Sequence, residues 1–291
     1  MSNLKPDAAK TSLVSISPDN VVCFEDYVKS DKMDIYELLS LSSLRDKESL
    51  EDKKRYLEKF TELCASNITN VTDDPIVFSW TIDGQSFLST SFMFELYLTT
   101  LSLAEQAFAS ANNYKTSVHL LMQCKEMLKQ WDTVDLIYPN PSYKCTKPYV
   151  EQLLALARAS MLLAKPNRSG NALSTALNFA GSVSFHIPNF SDVALNHYLL
   201  ARTLLYRHLV QTDQLEQGET ANTAYTAAKE ALACCRLIDR SKCHIDTQLD
   251  TDLNEILEEL PEFLQNMEQV YYSVDVPLES IRLPNSVSLT A

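Results

Sequence analysis

Four side chains near the C-terminal third are of the kinds that hold zinc. Cys234-Cys235 and Cys243-His244 bring three thiols and an imidazole within eleven residues, and such ligands bind Zn²⁺ tetrahedrally when their spacing allows. Here the spacing is wrong, because neither pair has the Cys-x-x-Cys form that lets one turn grip a metal. The other histidines, His119, His186, His197 and His208, show no His-Glu-x-x-His pattern. Nucleophile chemistry fares no better. No Gly-x-Ser-x-Gly elbow, Walker loop or dinucleotide fingerprint occurs, and those motifs are what expose a serine or cradle a phosphate. Carboxylates are plentiful but fall on the solvated faces of helical patterns. The sequence therefore predicts neither an enzyme nor a metal or cofactor site. The seven cysteines are odd in number and most lie in helical stripes, which predicts reduced thiols acting as small apolar core residues.

Composition narrows the partners. Of 291 residues 45% are apolar, enough for a sizeable core, and only four are glycine, which favours long helices over glycine-rich loops. The formal charge of −13 repels phosphate backbones and anionic headgroups. The composition thus predicts no nucleic-acid partner. Met1 to Ser17 lacks an apolar signal region and no apolar run approaches 18 residues, so the expectation is a cytoplasmic protein without direct membrane insertion.

The elements that would position any site are mostly helical. Large apolar residues at alternate positions from Ile76 to Ile82 predict a strand, which Asp83-Gly84 ends. From Ser91 the period becomes three to four, and apolar residues occupy both sides as far as Phe108, predicting a buried helix. After Asn112-Asn113 a second helix runs from Tyr114 to Trp131. Before this centre, Asp31 to Leu44 and Asp46 to Ala65 read as helices, with an irregular segment at 1–20 that includes a short strand near Leu13 to Ile16. After it come helices over Tyr149 to Lys165 and Ala172 to Ser184, then a helical hairpin of Phe190 to Gln211 and Thr220 to Asp239. The hairpin is patterned like a tetratricopeptide pair without the full repeat signature. A last helix, Asp250 to Tyr272, contains Pro261, which should kink or divide it. Residues 274–291 read as an extended tail. The fold class predicted is mainly α: an elongated solenoid of antiparallel helical pairs with a small β element near residues 76–82, forming one domain over 1–291.

Five features in order resemble the Bro-one (BRO) domain family, the ALIX-type endosomal adaptor domain. They are Tyr56-Leu-Glu-Lys-Phe60 closing a helix, the strand Val77-Phe-Ser-Trp80, Phe94-Glu-Leu96 opening the buried helix, Leu156-Ala-Arg-Ala-Ser160, and Val270-Tyr-Tyr272 followed by Val276-Pro277. The chain is shorter than the usual domain between Gly84 and Ser91 and around Gly218, and Met161 stands where the family usually has a glutamate. The resemblance implies a non-enzymatic adaptor, cytoplasmic and peripheral on endosomes, that binds the C-terminal amphipathic helix of an ESCRT-III subunit in endosomal sorting. Such binding seats apolar anchors in an exposed apolar patch flanked by charge. It also implies partner-binding residues: Leu154 at an apolar anchor position and Lys115 close to a family lysine, with Val150 and Arg158. Leu154 reads equally as ordinary core. Two other functions fit the same helices, a scaffold of another assembly such as a cytoskeletal one, and a tetratricopeptide-type module gripping an extended peptide.

Overall fold

The computed structural model describes residues 16–82, 84–110, 113–131, 147–183, 190–212, 219–243, 247–271, 274–287 and 289. The chain divides into two compact units, Ser12–Leu154 and Ala155–Ala291 together with Met1–Thr11. The strand expected near Leu13 lies mostly outside the described residues.

The first unit contains β1 (Ile16–Pro18), α1 (Phe24–Tyr27), β2 (Val28–Ser30), α2 (Ile35–Arg45), α3 (Leu50–Cys64), β3 (Ile68–Asn70), β4 (Phe78–Ile82), β5 (Gln85–Ser89), α4 (Phe92–Ala109) and α5 (Tyr114–Trp131). Strand β4 is the predicted β element, shortened by two residues at its start. It is the centre of an antiparallel sheet ordered β1-β4-β5, with Trp80 opposite Pro18 on one side and Phe87 on the other. Gly84 turns the chain from β4 to β5 at φ +77°, a conformation that side chains with a Cβ resist. Strand β5 escapes sequence reading because Gln85-Ser-Phe-Leu-Ser89 has no apolar alternation and its burial is correspondingly shallow. Phe24, Phe60, Phe78 and Phe92 form one aromatic knot: Phe60 stacks on Phe92 at 5.7 Å and meets Phe78 edge-on at 6.1 Å. Offset and edge-to-face contacts of this kind add stability beyond the area they bury.

Helix α4 is buried along both sides, as its sequence predicts, with Tyr97, Leu98, Leu101, Ala104 and Ala107 fully enclosed. Its start is fixed by Ser91, whose hydroxyl accepts from the Phe94 amide at 3.4 Å. Helix α2 begins with a reciprocal cap: Asp34 accepts from the Glu37 amide at 2.9 Å, and the Asp34 amide donates to the Glu37 carboxylate at 3.0 Å.

Helix α6 (Lys147–Leu163) leads from one unit into the other. The second unit continues with α7 (Gly170–Gly181), α8 (Phe190–Gln211), α9 (Glu219–Leu237) and α10 (Thr247–Tyr271), each packed on its predecessor from α8 onward. The α8–α9 hairpin falls within two residues of its predicted bounds. Alanines at Ala176, Ala201, Ala227, Ala228 and Ala231 let the backbones approach while Leu200, Leu205, Leu253 and Ile256 fill the space between them. Pro261 does not divide α10, which runs unbroken from Thr247 to Tyr271. One backbone hydrogen bond is lost there, but Ile256 and Leu260 before it and Phe263 and Leu264 after it pack on the same cluster and keep both halves helical. In the tail, a short 3-10 turn at Leu278–Ser280 interrupts the predicted extended segment, and Ile281 is buried in the cluster.

Candidate functional site

The one carboxylate that sits deepest in the first unit is Glu95, on the first turn of α4. Sequence reasoning missed it as a site, though a charge flanked by Phe94 and Leu96 in a buried helix, where Glu105 is the one other charge, is the signal that could have found it. Glu95 and Arg45, from the last turn of α2, have fully buried side chains and pair at 2.8 Å. One Glu95 oxygen accepts from Arg45 Nε at 2.8 Å and Tyr56 Oη at 2.7 Å, the other from Arg45 Nη2 at 3.1 Å and Trp80 Nε1 at 2.6 Å. The guanidinium lies 5.7 Å from the ring centroids of both Phe78 and Trp80, and also donates to the Asn20 carbonyl. Burial, with the Glu95 charge beside it, pushes the Tyr56 phenol well above its ordinary range. Each carboxylate oxygen already holds two donors. The cluster ties α2, α3, β4 and α4 together and has no acceptor left over for acid-base work.

The thiols among the described residues are equally unsuited to nucleophilic chemistry. Cys124, Cys234, Cys235 and Cys243 are free and buried, and Cys23 and Cys64 are free and more exposed. Burial pushes the Cys234 and Cys243 thiols up to about 12, so they stay protonated. Among the described residues no group of three or more His, Cys, Asp or Glu side chains could hold a metal ion. Of the four zinc-type side chains only His244 lies outside the described residues.

The residues that the resemblance implies for partner binding are placed as follows. Val150 and Leu154 lie one turn apart on α6 with 0% and 4% exposure. Of the two readings of Leu154, an anchor in an exposed patch and ordinary core, its burial fits the second: ten of the residues from Tyr149 to Leu163 are buried, leaving Glu151, Gln152, Ala155, Arg158 and Met161 partly open. A helix covered on more than one side hides apolar residues that periodicity alone would allow on a surface. Arg158 is half-buried, belongs to the second unit, and has its guanidinium 5.6 Å from the centroid of the Phe179 ring. Lys115 is exposed on the first turn of α5, and no hydrogen bond or ion pair joins it to α6 among the described residues. Helices α5 and α6 are joined instead by Lys125 and Glu151 at 3.0 Å.

Helix α5 carries a different surface. Tyr114, Ser117, Leu121, Cys124 and Leu128 point inward, and the Ser117 hydroxyl donates to the Ala104 carbonyl of α4 at 2.9 Å. Lys115, Val118, Met122, Lys125 and Lys129 recur at intervals of three and four residues and are exposed or half-buried. That interval places them in one row on the helix. Val118 and Met122 are its apolar centre, and the lysines lie at both ends. Lys129 is paired with Glu126 at 2.7 Å and Lys125 with Glu151, leaving Lys115 as the end whose charge faces solvent alone among the described residues.

A small antiparallel sheet with a buried helix in the first unit and successive antiparallel helices in the second give the chain a Bro1-like fold. Three solved structures carry that conclusion. They are ALIX in complex with the SIVmac239 PYKEVTEDL late domain (TM-score 0.62, 12% identity, 88% of this chain), the ALIX BRO1–CHMP4C complex (0.61, 12%, 92%), and a Bro1-domain structure on the basis of endosomal targeting (0.51, 13%, 87%). The chain spans 43% of the first of those chains, 94% of the second and 83% of the third. No family model and no curated protein matches it in sequence. No helix among the described residues is long and apolar enough to cross a membrane.

Proposed function

We propose that the protein is a non-enzymatic adaptor whose first unit binds the C-terminal amphipathic helix of an ESCRT-III subunit, placing it in the cytoplasm and at endosomes through that partner. The observation that carries this reading is the extent of the fold match: 92% of this chain superposes on 94% of the ALIX BRO1 chain solved with CHMP4C. The α5 row fits the partner's chemistry. An amphipathic helix needs apolar contacts at helical spacing with charge at the margin, and Val118 and Met122 between Lys115 and Lys125 provide that, with an acidic-flanked ligand favoured. Val150 and Leu154 contribute by holding α6 in place, as core residues under the surface, and Lys115 contributes as a rim charge. Arg158, in the second unit, stays a separate candidate contact.

The test is a titration of the protein with a fluorescent peptide of the CHMP4C C-terminal helix. Covering a valine-sized side chain is worth about 1.5–3 kcal/mol, so Val118→Asp, which also buries a charge, should weaken binding by at least roughly tenfold. Lys115→Ala should cost less, about 1 kcal/mol or below. If the wild-type protein does not bind the peptide, the ESCRT-III reading fails; if it binds and Val118→Asp binds equally well, the α5 site fails while the adaptor reading stands.

A further inference from the structure

The second unit contains a cleft of about 440 Å³ between the start of α7, the end of α8 and the tail segment from Arg282 to Asn285. Its size falls in the range of small-molecule sites rather than of a single ion. In a chain with 38 acidic and 25 basic residues, its lining has an arginine and a histidine and no carboxylate at all. The exposed Arg282 side chain and the half-buried His208 ring have no hydrogen-bond or ion-pair partner among the described residues, whereas the neighbouring arginines Arg168 and Arg207 are already engaged by Asp252 and Glu255. Asn171, Thr212 and Asn285 add uncharged polar groups to the same walls.

The walls are anchored. Ile281 is buried in the core cluster on one side of the tail segment, and on the other the Val287 amide donates to Thr175 Oγ1 of α7 at 2.7 Å. Between these two pins, Pro284 and His208 close on Gly170 so tightly that a Cβ there would lie 2.8 Å from Pro284 Cγ and 2.9 Å from the His208 ring. The absent side chain brings His208 to the first turn of α7, and that turn has no acidic residue to neutralise its amides.

We propose that this cleft binds a phosphate monoester on a small polar body of sugar size. A guanidinium fork, an imidazole and the polar side chains of Ser169, Asn171 and Asn285 lining one cleft suit an anion with three acceptor oxygens, more than a carboxylate with two. The remaining volume accommodates the polar body that bears the phosphate. The same chemistry is offered by a soluble sugar phosphate and by a phosphoinositide headgroup. This inference is independent of the adaptor reading and uses residues of the other unit.

Titration of the full chain with glucose 6-phosphate, with glucose as control, tests it. Saturable binding of the phosphate with a Kd on the order of 1 mM and none of glucose is the expected result. Arg282→Ala should weaken it roughly tenfold, the loss of one charge-assisted contact, and Arg236→Ala, an exposed arginine at the end of α9, should leave it unchanged. Vesicles of phosphatidylcholine with and without phosphatidylinositol 4-phosphate separate the sources: Arg282-dependent sedimentation with the phosphoinositide alone assigns a lipid headgroup, and its absence alongside glucose 6-phosphate binding assigns a soluble ligand. Failure of both probes to bind overturns the proposal, as does equal binding by Arg282→Ala or an equal loss in Arg236→Ala.

Discussion

The two units solve the same problem, holding helices together, with different interiors. The first is built around aromatic rings and one buried ion pair, Arg45 and Glu95, that links four elements through six or more specific contacts. The second is built from alanine and leucine on five successive helices, α6 to α10, and its arginine pairs are less deeply buried than Arg45 and Glu95, the Asp252 that holds Arg168 being 13% exposed and the Glu255 that holds Arg207 45%. Interdigitated aliphatic packing spreads stability over many small dispersion contacts, whereas a buried polar cluster makes it depend on every member being present. The first unit should therefore fail abruptly when one atom group is removed, and the second should degrade in steps.

Removing Glu95 is the largest break. Glu95→Ala strands a buried guanidinium, a phenol and an indole N–H at once, and loss of one member of a buried pair costs about 3–5 kcal/mol. Both tryptophans, Trp80 and Trp131, belong to the first unit and none to the second, so fluorescence reports this unit alone during urea denaturation. The double change Arg45→Met with Glu95→Leu should recover much of the loss, because it removes the charge rather than orphaning it. If the single variant melts like wild type by fluorescence, the ion pair does not organise this unit.

A smaller break is Leu154→Ala, expected to cost about 2–5 kcal/mol as a deleted core leucine, and Leu154→Asp should not fold. A Leu154→Asp variant with wild-type helicity and melting temperature would return the residue to the surface. In the second unit Leu253→Ala should cost in the same range but near its lower end, about 2–3 kcal/mol, if the surrounding alanines let the helices close on the space. Circular dichroism would follow that loss while the fluorescence transition stays in place. A shift of both transitions together would show the two interiors to be one cooperative structure.

These expectations also show what the sequence made legible. The period of two in Phe78-Ser-Trp80-Thr-Ile82 and the two-sided apolar pattern of α4 are strong local signals, and both elements form where the pattern places them. Strands β2 and β3 are three residues each and pair across a separation of about forty, so no local window contains their reason for forming. Glu95 was visible as a charge between Phe94 and Leu96, but its partners Arg45, Tyr56 and Trp80 come from three other elements. The candidate site divides the same way. Lys115 is exposed because the first turn of α5 has room around it, and Leu154 is buried because other elements cover α6; only the fold distinguishes a leucine that waits for a partner from one that already has its neighbours.

The smallest break sits at the edge of the sheet. Asp19 is exposed, yet its carboxylate accepts from the hydroxyls of Thr81 and, at 2.9 Å, Ser86, and its amide donates to the Ser79 carbonyl at 2.8 Å. These bonds, from Thr81 above all, hold the carboxyl below the usual carboxylate range. The fold thus favours ionised Asp19, and its contribution is complete above the unfolded value near pH 4 and is lost as pH falls through the lower folded value. Because water screens an exposed group, Asp19→Asn should cost below about 1 kcal/mol at pH 7. Its clearer mark is in slope: between about pH 4 and pH 2 the wild-type fluorescence midpoint should fall more steeply than that of Asp19→Asn. Parallel slopes would mean that backbone pairing of β4 with β1 and β5 holds the sheet without the carboxylate, and that Asp19 adds nothing to the polar specificity that Arg45 and Glu95 give the interior of the first unit.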